Sequence, residues 1–266
     1  MRIGIIAHPE LPEALKLTQR VLKLLSKEEV LIEQGIARKL GKRGVTARAL
    51  QKVDTIVTIG GDGTVLFAQS QAPETPILGI NLGGRGFLAD VKPNEAQRAL
   101  RMLVMGELPI IEKDRLVVEA AGKQLPDALN DAVVCTAKAG KTLTLRISVD
   151  GKVTDDVKGD GVIVATPTGS TAYALAAGGP VIDPRAKVFV VVPICPSYLN
   201  PNPLVVPIDS RIEMEPTRPD RGAFVIVDGQ IAAKLKPGEK ARFHRSDKPA
   251  RFFEWGEFYR KMREKL

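Results

Sequence analysis

The chain has 266 residues, 44% of them hydrophobic and 26% charged, as expected for a globular protein of one large or two modest domains. No apolar run approaches the roughly 20 residues of a membrane-spanning helix, so we expect no membrane segment. Cys135 and Cys195 are the only cysteines, which argues against a disulfide framework and favours the cytoplasm. The net charge of +8 has no recognisable nucleic-acid module beside it, so we expect polyanionic small molecules rather than nucleic acid as partners.

The first hundred residues alternate between strand-like and helix-like patterns, which predicts an open α/β sheet. Short β-prone segments separated by Gly, Pro and Asp begin near Lys113 and predict mainly antiparallel strands. Asp150-Gly151 lies between two β-prone segments and predicts a hairpin turn. The predicted elements are strands at Ile3–Ala7, Val30–Glu33, Thr55–Ile59 and Pro76–Ile80, helices at Glu13–Ser26, Gln34–Leu40 and Asn94–Met105, then β-structure, and a terminal helix at Phe252–Leu266.

The strongest chemical motif is Gly60-Gly61-Asp62-Gly63-Thr64, between the strand at Thr55–Ile59 and a helical segment. In an open α/β sheet, ligands bind at the carboxyl ends of the strands. Glycines there let backbone N–H groups approach phosphate oxygens. Asp62 could accept a proton from a hydroxyl or help to hold Mg²⁺. Taken alone, the motif is more typical of a strand-to-helix turn.

Two further segments favour a ligand site over a turn. Asn81–Leu88 is a second glycine-rich loop, and it follows the next strand. Gly159–Tyr173 runs from a strand into Thr-Pro-Thr-Gly-Ser-Thr, whose hydroxyl and N–H groups suit recognition of a nucleoside. No Gly-x-Gly-x-x-Gly follows the first strand, which argues against a Rossmann dehydrogenase. Neither His8 nor His244 has a partner at metal-ligand spacing, which argues against a zinc site.

Together these motifs resemble the ordered motif series of the NAD kinase family. Gly-Gly-Asp-Gly-Thr alone is shared with diacylglycerol-type lipid kinases, whereas the block at Thr166–Tyr173 is far more specific. The resemblance runs from residue 60 to residue 230 and is carried by Gly60–Thr64, Asn81–Leu88, Asn130-Asp131, Gly159–Tyr173, Gly178–Pro180, Pro193–Pro196 and Asp228-Gly229-Gln230.

The resemblance implies an α/β N-terminal domain with an open, mainly parallel sheet and a mainly antiparallel β C-terminal domain, with NAD bound between them. The α/β domain is expected over residues 1–112, with a C-terminal helix at 246–266 packing back on it, and the β-rich NAD-binding domain over 113–245. The implied reaction is phosphorylation of the 2′-hydroxyl of the adenosine ribose of NAD to give NADP.

The resemblance also implies roles for individual residues. Asp62 is the expected catalytic proton acceptor. Asp131 stands where the family usually has Glu, and Ala176 stands where Ser is common. The expected substrate-binding residues are Asp62, Gly63, Asn130, Asp131, Lys158, Asp160, Thr168, Thr171, Ala172, Tyr173, Ala176 and Gln230. The expected phosphate-binding residues are Gly60, Gly61, Gly63, Thr64, Gly83, Gly84 and Arg85.

The expected partners are NAD and a phosphoryl donor, either ATP or inorganic polyphosphate. Mg²⁺ or another divalent cation is the implied cofactor, and a homodimer or homotetramer is the implied assembly. A lipid or sugar kinase of the same superfamily is the alternative enzyme. The non-catalytic alternative is a nucleotide sensor, against which Asp62 argues because a sensor need not keep a proton acceptor at this position.

Overall fold

The structure is a computed structural model that describes residues 1–84, 86–138, 140–197, 202–218 and 220–265. The chain divides into two units. Unit 1 consists of Met1–Lys113 and Ala250–Leu266, and unit 2 consists of Asp114–Pro249. In the part of the chain that is described, no helix is long and apolar enough to cross a membrane.

Unit 1 contains one sheet flanked by helices. Its strands, in spatial order, are β2 (Glu29–Ile32), β1 (Arg2–Ala7), β3 (Thr55–Gly60), β4 (Ile77–Asn81), β18 (Ala250–Phe253) and β5 (Ile110–Lys113). The first four strands are parallel, β18 is parallel to β4, and β5 is antiparallel to β18. The helices are α1 (Pro12–Leu24), α2 (Gln34–Lys39), α3 (Asp62–Gln71), α4 (Ala96–Met105) and α6 (Phe258–Lys265), with a 3₁₀ helix at Ala47–Lys52.

Local sequence explains the helix ends in unit 1. Pro12 opens α1, where its fixed φ suits the first turn and no N–H partner is needed. The Glu33 carboxylate accepts hydrogen bonds from the N–H groups of Gly35 and Ile36 and so caps α2. Gly106 ends α4 with a φ of 71°. The parallel strands β1, β3 and β4 are almost wholly buried, as expected for the centre of a parallel sheet covered by helices.

Unit 2 is built from two antiparallel sheets whose inner faces share one apolar core, including Phe189 and Phe243. The first sheet has the order β10 (Lys152–Gly159), β9 (Leu143–Val149), β14 (Ile212–Pro216), β17 (Ala241–Arg245), β6 (Leu116–Ala120) and β7 (Lys123–Gln124). The second has the order β13 (Leu204–Pro207), β12 (Val188–Ile194), β11 (Gly161–Ala165), β8 (Asp131–Thr136), β15 (Ala223–Val227) and β16 (Gln230–Leu235). A 3₁₀ helix at Gly169–Thr171 and the short α5 (Tyr173–Ala176) complete the unit.

The predicted change from an open, mainly parallel α/β sheet to antiparallel sheets is confirmed, and so is the hairpin at Asp150-Gly151, where both residues have positive φ. The helix expected over 246–266 is wrong in its first part. Ala250–Phe253 forms β18 because Ala250 and Phe252 alternate as buried residues between β4 and β5. β16 was not predicted because it is an exposed edge strand without the usual apolar alternation.

Candidate functional site

The two glycine-rich loops of unit 1 lie side by side. β3 and β4 are parallel neighbours, and Gly60 at the end of one strand pairs with Asn81 at the end of the other. The Leu82 N–H donates a hydrogen bond to the Gly60 carbonyl at 3.0 Å. Gly83 and Gly84 have φ values of 128° and 91°, a backbone shape that side chains disfavour. Arg85, the last member of the predicted phosphate set, lies outside the described residues.

Asp62 is held by the backbone of the second loop. It begins α3, and its Oδ2 accepts a hydrogen bond from the Phe87 N–H at 2.6 Å. Its Oδ1 accepts from the N–H groups of Leu88 and Ala89, at 3.0 and 3.1 Å. A carboxylate has about four acceptor positions, so these three donors fix its orientation and leave about one position for a further partner.

The first glycine motif leaves room for a ligand at two positions. A Cβ atom added to Gly61 or Gly63 would meet no atom within 4 Å. Both residues lie at the start of α3, where the first N–H groups of a helix have no partner within it. Thr64 differs, because the residue is only 8% exposed and its N–H donates to the Gly61 carbonyl. The groups best placed to meet phosphate are therefore the backbone N–H groups before Thr64.

In unit 2, three loops meet at one end of the second sheet. Asp131 at the start of β8 pairs with Ala165 in β11, and Ala132 pairs with Val227 in β15. The turn after β15 contains Asp228, whose φ is 45°. The Asp228 carboxylate accepts hydrogen bonds from three successive N–H groups, those of Leu129, Asn130 and Asp131, at 2.8, 2.8 and 3.2 Å.

The Thr-rich loop is tied to the same segment. The Thr166 N–H donates to the Asn130 carbonyl at 2.9 Å, and the Thr166 hydroxyl donates to the Leu129 carbonyl at 2.6 Å. The buried Ser170 hydroxyl donates to the Pro167 carbonyl at 2.7 Å. The half-buried Thr171 hydroxyl donates to the Thr168 carbonyl at 3.3 Å, so three hydroxyls hold this loop together. Thr168 is half-buried as well.

Asp131 is the most electrostatically unusual residue of this group. It is 5% exposed, and burial together with the neighbouring Asp228 carboxylate raises the pKa of Asp131 to about 7. Burial also raises the pKa of Asp228, against the effect of its three backbone donors. Near neutral pH, Asp131 can therefore donate a hydrogen bond in its protonated form as well as accept one.

Tyr173 lies over the outer face of the second sheet. It begins α5, and Ala174 beside it packs against Val133 and Ile163. Tyr173 is 47% exposed. Burial raises the pKa of its hydroxyl, and smaller effects in the same direction come from Cys135, Cys195, Asp131 and Asp160. Tyr173, Asp131 and Asp160 therefore share one region of unit 2.

The remaining predicted substrate residues lie at the surface of unit 2. Ala172 is half-buried before α5, and Ala176 is exposed at its end. Lys158 is exposed on β10, and Asp160 follows it in the chain. Gln230 is exposed at the start of β16, directly after the Asp228-Gly229 turn.

Sequence reasoning missed two organising features. Asp228 was part of a recognised motif, but its role as acceptor for three N–H groups was not predicted; Asp followed by Gly between β-prone segments was the available signal. The three amides that hold Asp62 were also missed, because they lie 25 to 27 residues further along the chain.

Comparison with known families gives matches in both halves of the chain. Residues 3–108 match the ATP-NAD kinase N-terminal domain, and residues 129–255 match the ATP-NAD kinase C-terminal domain. The NAD kinase of Methanothermobacter thermautotrophicus is 39% identical over 273 residues, covering 100% of this chain and 96% of the relative. The NAD kinase of Thermococcus gammatolerans is 42% identical, covering 95% of this chain and 93% of the relative.

Two solved structures share the fold. A yeast NADH kinase complexed with NADH superposes with a TM-score of 0.92 at 23% identity, over 99% of this chain and 86% of that one. An NAD kinase from Archaeoglobus fulgidus in complex with ATP gives a TM-score of 0.83 at 29% identity, over 99% of both chains.

Proposed function

The chain belongs to the NAD kinase family and is a phosphotransferase that makes NADP from NAD, and we propose that Asp62 is its proton acceptor. In this reaction the 2′-hydroxyl oxygen of the adenosine ribose attacks the terminal phosphorus of the donor. An O–P bond forms, the bond to the leaving phosphate oxygen breaks, and the hydroxyl proton passes to the Asp62 carboxylate. The alternatives of a lipid or sugar kinase and of a sensor give way to this assignment.

One observation carries the proposal for Asp62. Its carboxylate is fixed by the N–H groups of Phe87, Leu88 and Ala89 and keeps about one open acceptor position at the carboxyl end of β3. Phosphoryl transfer depends mainly on alignment and charge neutralisation, so an oriented acceptor suits it. The N–H groups around Gly61 and Gly63 are proposed to hold the donor phosphates.

ATP is the proposed donor, supported by the ATP complex of the relative from Archaeoglobus fulgidus. Inorganic polyphosphate offers the same anionic oxygens to the glycine loops, and we retain it as a second donor. Parallel assays with each donor, following NADP, separate the two. NAD is proposed to contact Asn130, Asp131 and Tyr173 in unit 2.

Mg²⁺ or another divalent cation is the proposed cofactor. The described residues contain no group of three or more acidic, histidine or cysteine side chains that could form a metal cage. The single carboxylate of Asp62 fits Mg²⁺, which is commonly held by one or two carboxylates together with substrate phosphates and water. Asp62 would be the protein ligand, and the bound ion supplies neutralisation of charge on the phosphates. Because Asp62 has about one open acceptor position, metal ligation and proton acceptance compete for it.

We also propose a cytoplasmic location and assembly into a homodimer or homotetramer. Neither cysteine forms a disulfide, which suits a reducing compartment. The edge strands β13 and β16 expose the apolar residues Leu204, Val205 and Ile231. An interface between two copies of the chain would cover these residues. Sedimentation velocity tests the assembly, and a single monomer peak at all concentrations would contradict it.

Asp62→Asn tests the proposed function directly. The amide keeps the size of the side chain but removes the proton acceptor, so we expect kcat to fall by roughly 10²–10⁴-fold. NAD affinity should change far less, because the lost interaction is made mainly in the transition state. Partial recovery at high Mg²⁺ would indicate metal ligation instead. Wild-type kcat at every Mg²⁺ concentration would exclude both roles.

A further inference from the structure

The C-terminal helix α6 contacts the loop that holds Asp62. The Lys265 ammonium group donates a hydrogen bond to the Gly86 carbonyl, and its Nζ also lies 5.4 Å from the centre of the Phe87 ring. The Phe258 ring lies 6.4 Å from the Phe87 ring. Phe258 and Lys265 are seven residues apart, which places them on the same side of a helix. One side of α6 therefore packs on the segment that begins at Gly86.

A second group of contacts joins the next part of the same loop to α6. The Lys261 ammonium group donates a hydrogen bond to Asp90 Oδ2 at 2.5 Å. The two side chains are 14% and 16% exposed, so this ion pair is largely removed from water. Lys92 and Glu264 form a further, exposed pair at 3.7 Å. The loop is thus attached to the helix on both sides of its Asp62-binding amides.

Asp90 lies among charged groups whose pKa values are shifted by burial. Burial raises the pKa of Asp90 and lowers the pKa of Lys113, and each of these residues opposes the shift of the other. Within the described residues, Asp90 Oδ1 is buried without a hydrogen-bond partner. A buried ion pair contributes little net stability, because desolvation offsets the attraction, and in some proteins it serves to fix one arrangement of the groups it joins.

We propose that α6 is a positioning element for the reaction and that Lys261 and Lys265 act on Asp62 through the backbone of residues 86–90. The amides of Phe87, Leu88 and Ala89 bind the Asp62 carboxylate, and both flanks of these three residues are bound by lysines of one helix. This inference rests on the proposed role of Asp62. Neither lysine is assigned a contact with substrate.

Lys261→Met is the first test, with Arg263→Met as its matched control. Arg263 lies on the same helix, is exposed, and belongs to none of the loop contacts. Displacing a reacting group by about 1 Å can cost about 100-fold in rate, so we expect Lys261→Met to lower kcat by about 10- to 100-fold. The KM for NAD should change less than about twofold, since the NAD contacts are proposed in unit 2. Arg263→Met should behave as wild type.

A double-mutant cycle distinguishes positioning of Asp62 from a general structural effect. If Lys261 acts through Asp62, then Lys261→Met should lower kcat much less in the Asp62→Asn background than in the wild type. An equal fold-loss in both backgrounds, or a wild-type kcat for Lys261→Met, would overturn the inference. If Lys261→Met fails to fold, Lys265→Met takes its place in the same cycle, because it leaves the Asp90 ion pair intact. A loss of activity in Lys261→Met with full activity in Asp62→Asn would instead contradict the proposed function.

Discussion

At the residue scale, Asp131 and Asp228 share one buried environment but differ in their hydrogen-bond partners. The Asp228 carboxylate accepts hydrogen bonds from the N–H groups of three residues and so fixes the backbone at the start of β8. Asp131 has no such set of donors within the described residues, and its pKa is about 7 because burial disfavours its charge. This difference supports the proposed role of Asp131 as the carboxyl group that contacts NAD, with Asp228 holding the backbone beside it.

The raised pKa of Asp131 predicts a pH-dependent contribution to stability. Between its ordinary pKa near 3.8 and its folded value of about 7, the folded protein keeps a proton that the unfolded chain has lost. The free energy of unfolding therefore falls as pH rises through this interval, by about 1.4 kcal/mol per pH unit, and levels off above it.

Asp131→Asn should remove this contribution. We expect the variant to gain stability relative to wild type as pH rises from about 5 to about 8, because Asn does not titrate there. Urea denaturation of both proteins at the two pH values measures the difference. Identical changes in the two proteins would show that Asp131 does not hold its proton in the folded state.

At the element scale, the two glycine loops of unit 1 have different tolerances for a side chain. Gly63 lies at the first turn of α3 with open space around its Cα, whereas a methyl group at Gly86 would overlap the Asp62 carboxylate. The first loop is proposed to face the phosphoryl donor, and the second loop holds the Asp62 carboxylate.

Substitutions at Gly63 and Gly86 should therefore impair turnover for different reasons. Gly63→Val should leave the melting temperature near that of wild type but cripple turnover, because the side chain occupies the space proposed for phosphate. Gly86→Ala should lower kcat by displacing Asp62, with little change in KM for ATP. Steady-state kinetics and thermal melts of both variants make the comparison. Near-normal turnover in Gly63→Val would mean that the first loop is only a turn.

At the scale of the whole molecule, the chain leaves unit 1 after Lys113 and returns to it at Ala250. The returning strand β18 lies between β4 and β5, so residues 1–113 alone cannot complete their sheet. Unit 2 is continuous in the chain, and both of its sheets contribute to one core.

This connectivity predicts different behaviour for the two fragments. Residues 114–249 should fold alone and unfold cooperatively, since every described strand of the two sheets lies within them. Residues 1–113 should show no cooperative transition, or a much weaker one, because β5 loses its neighbour and the loop after β4 loses α6. Circular dichroism melts of each fragment beside the full chain are the measurement. A cooperative 1–113 fragment would show that β18 is dispensable.

Local patterns in the sequence were sufficient for the change of fold class near residue 112, the hairpin at Asp150-Gly151 and the glycine loop around Asp62. Each depends on residues that are neighbours in the chain, so turn chemistry and apolar periodicity reveal them. The motif series was likewise enough to identify the family. Only the tertiary structure showed that Ala250–Phe253 enters the first sheet, that Thr64 is buried, and that Asp62 is held by amides from a second loop supported by α6. Lys261 and Asp90 are 171 residues apart, and no local propensity encodes a contact that exists only when distant segments pack together.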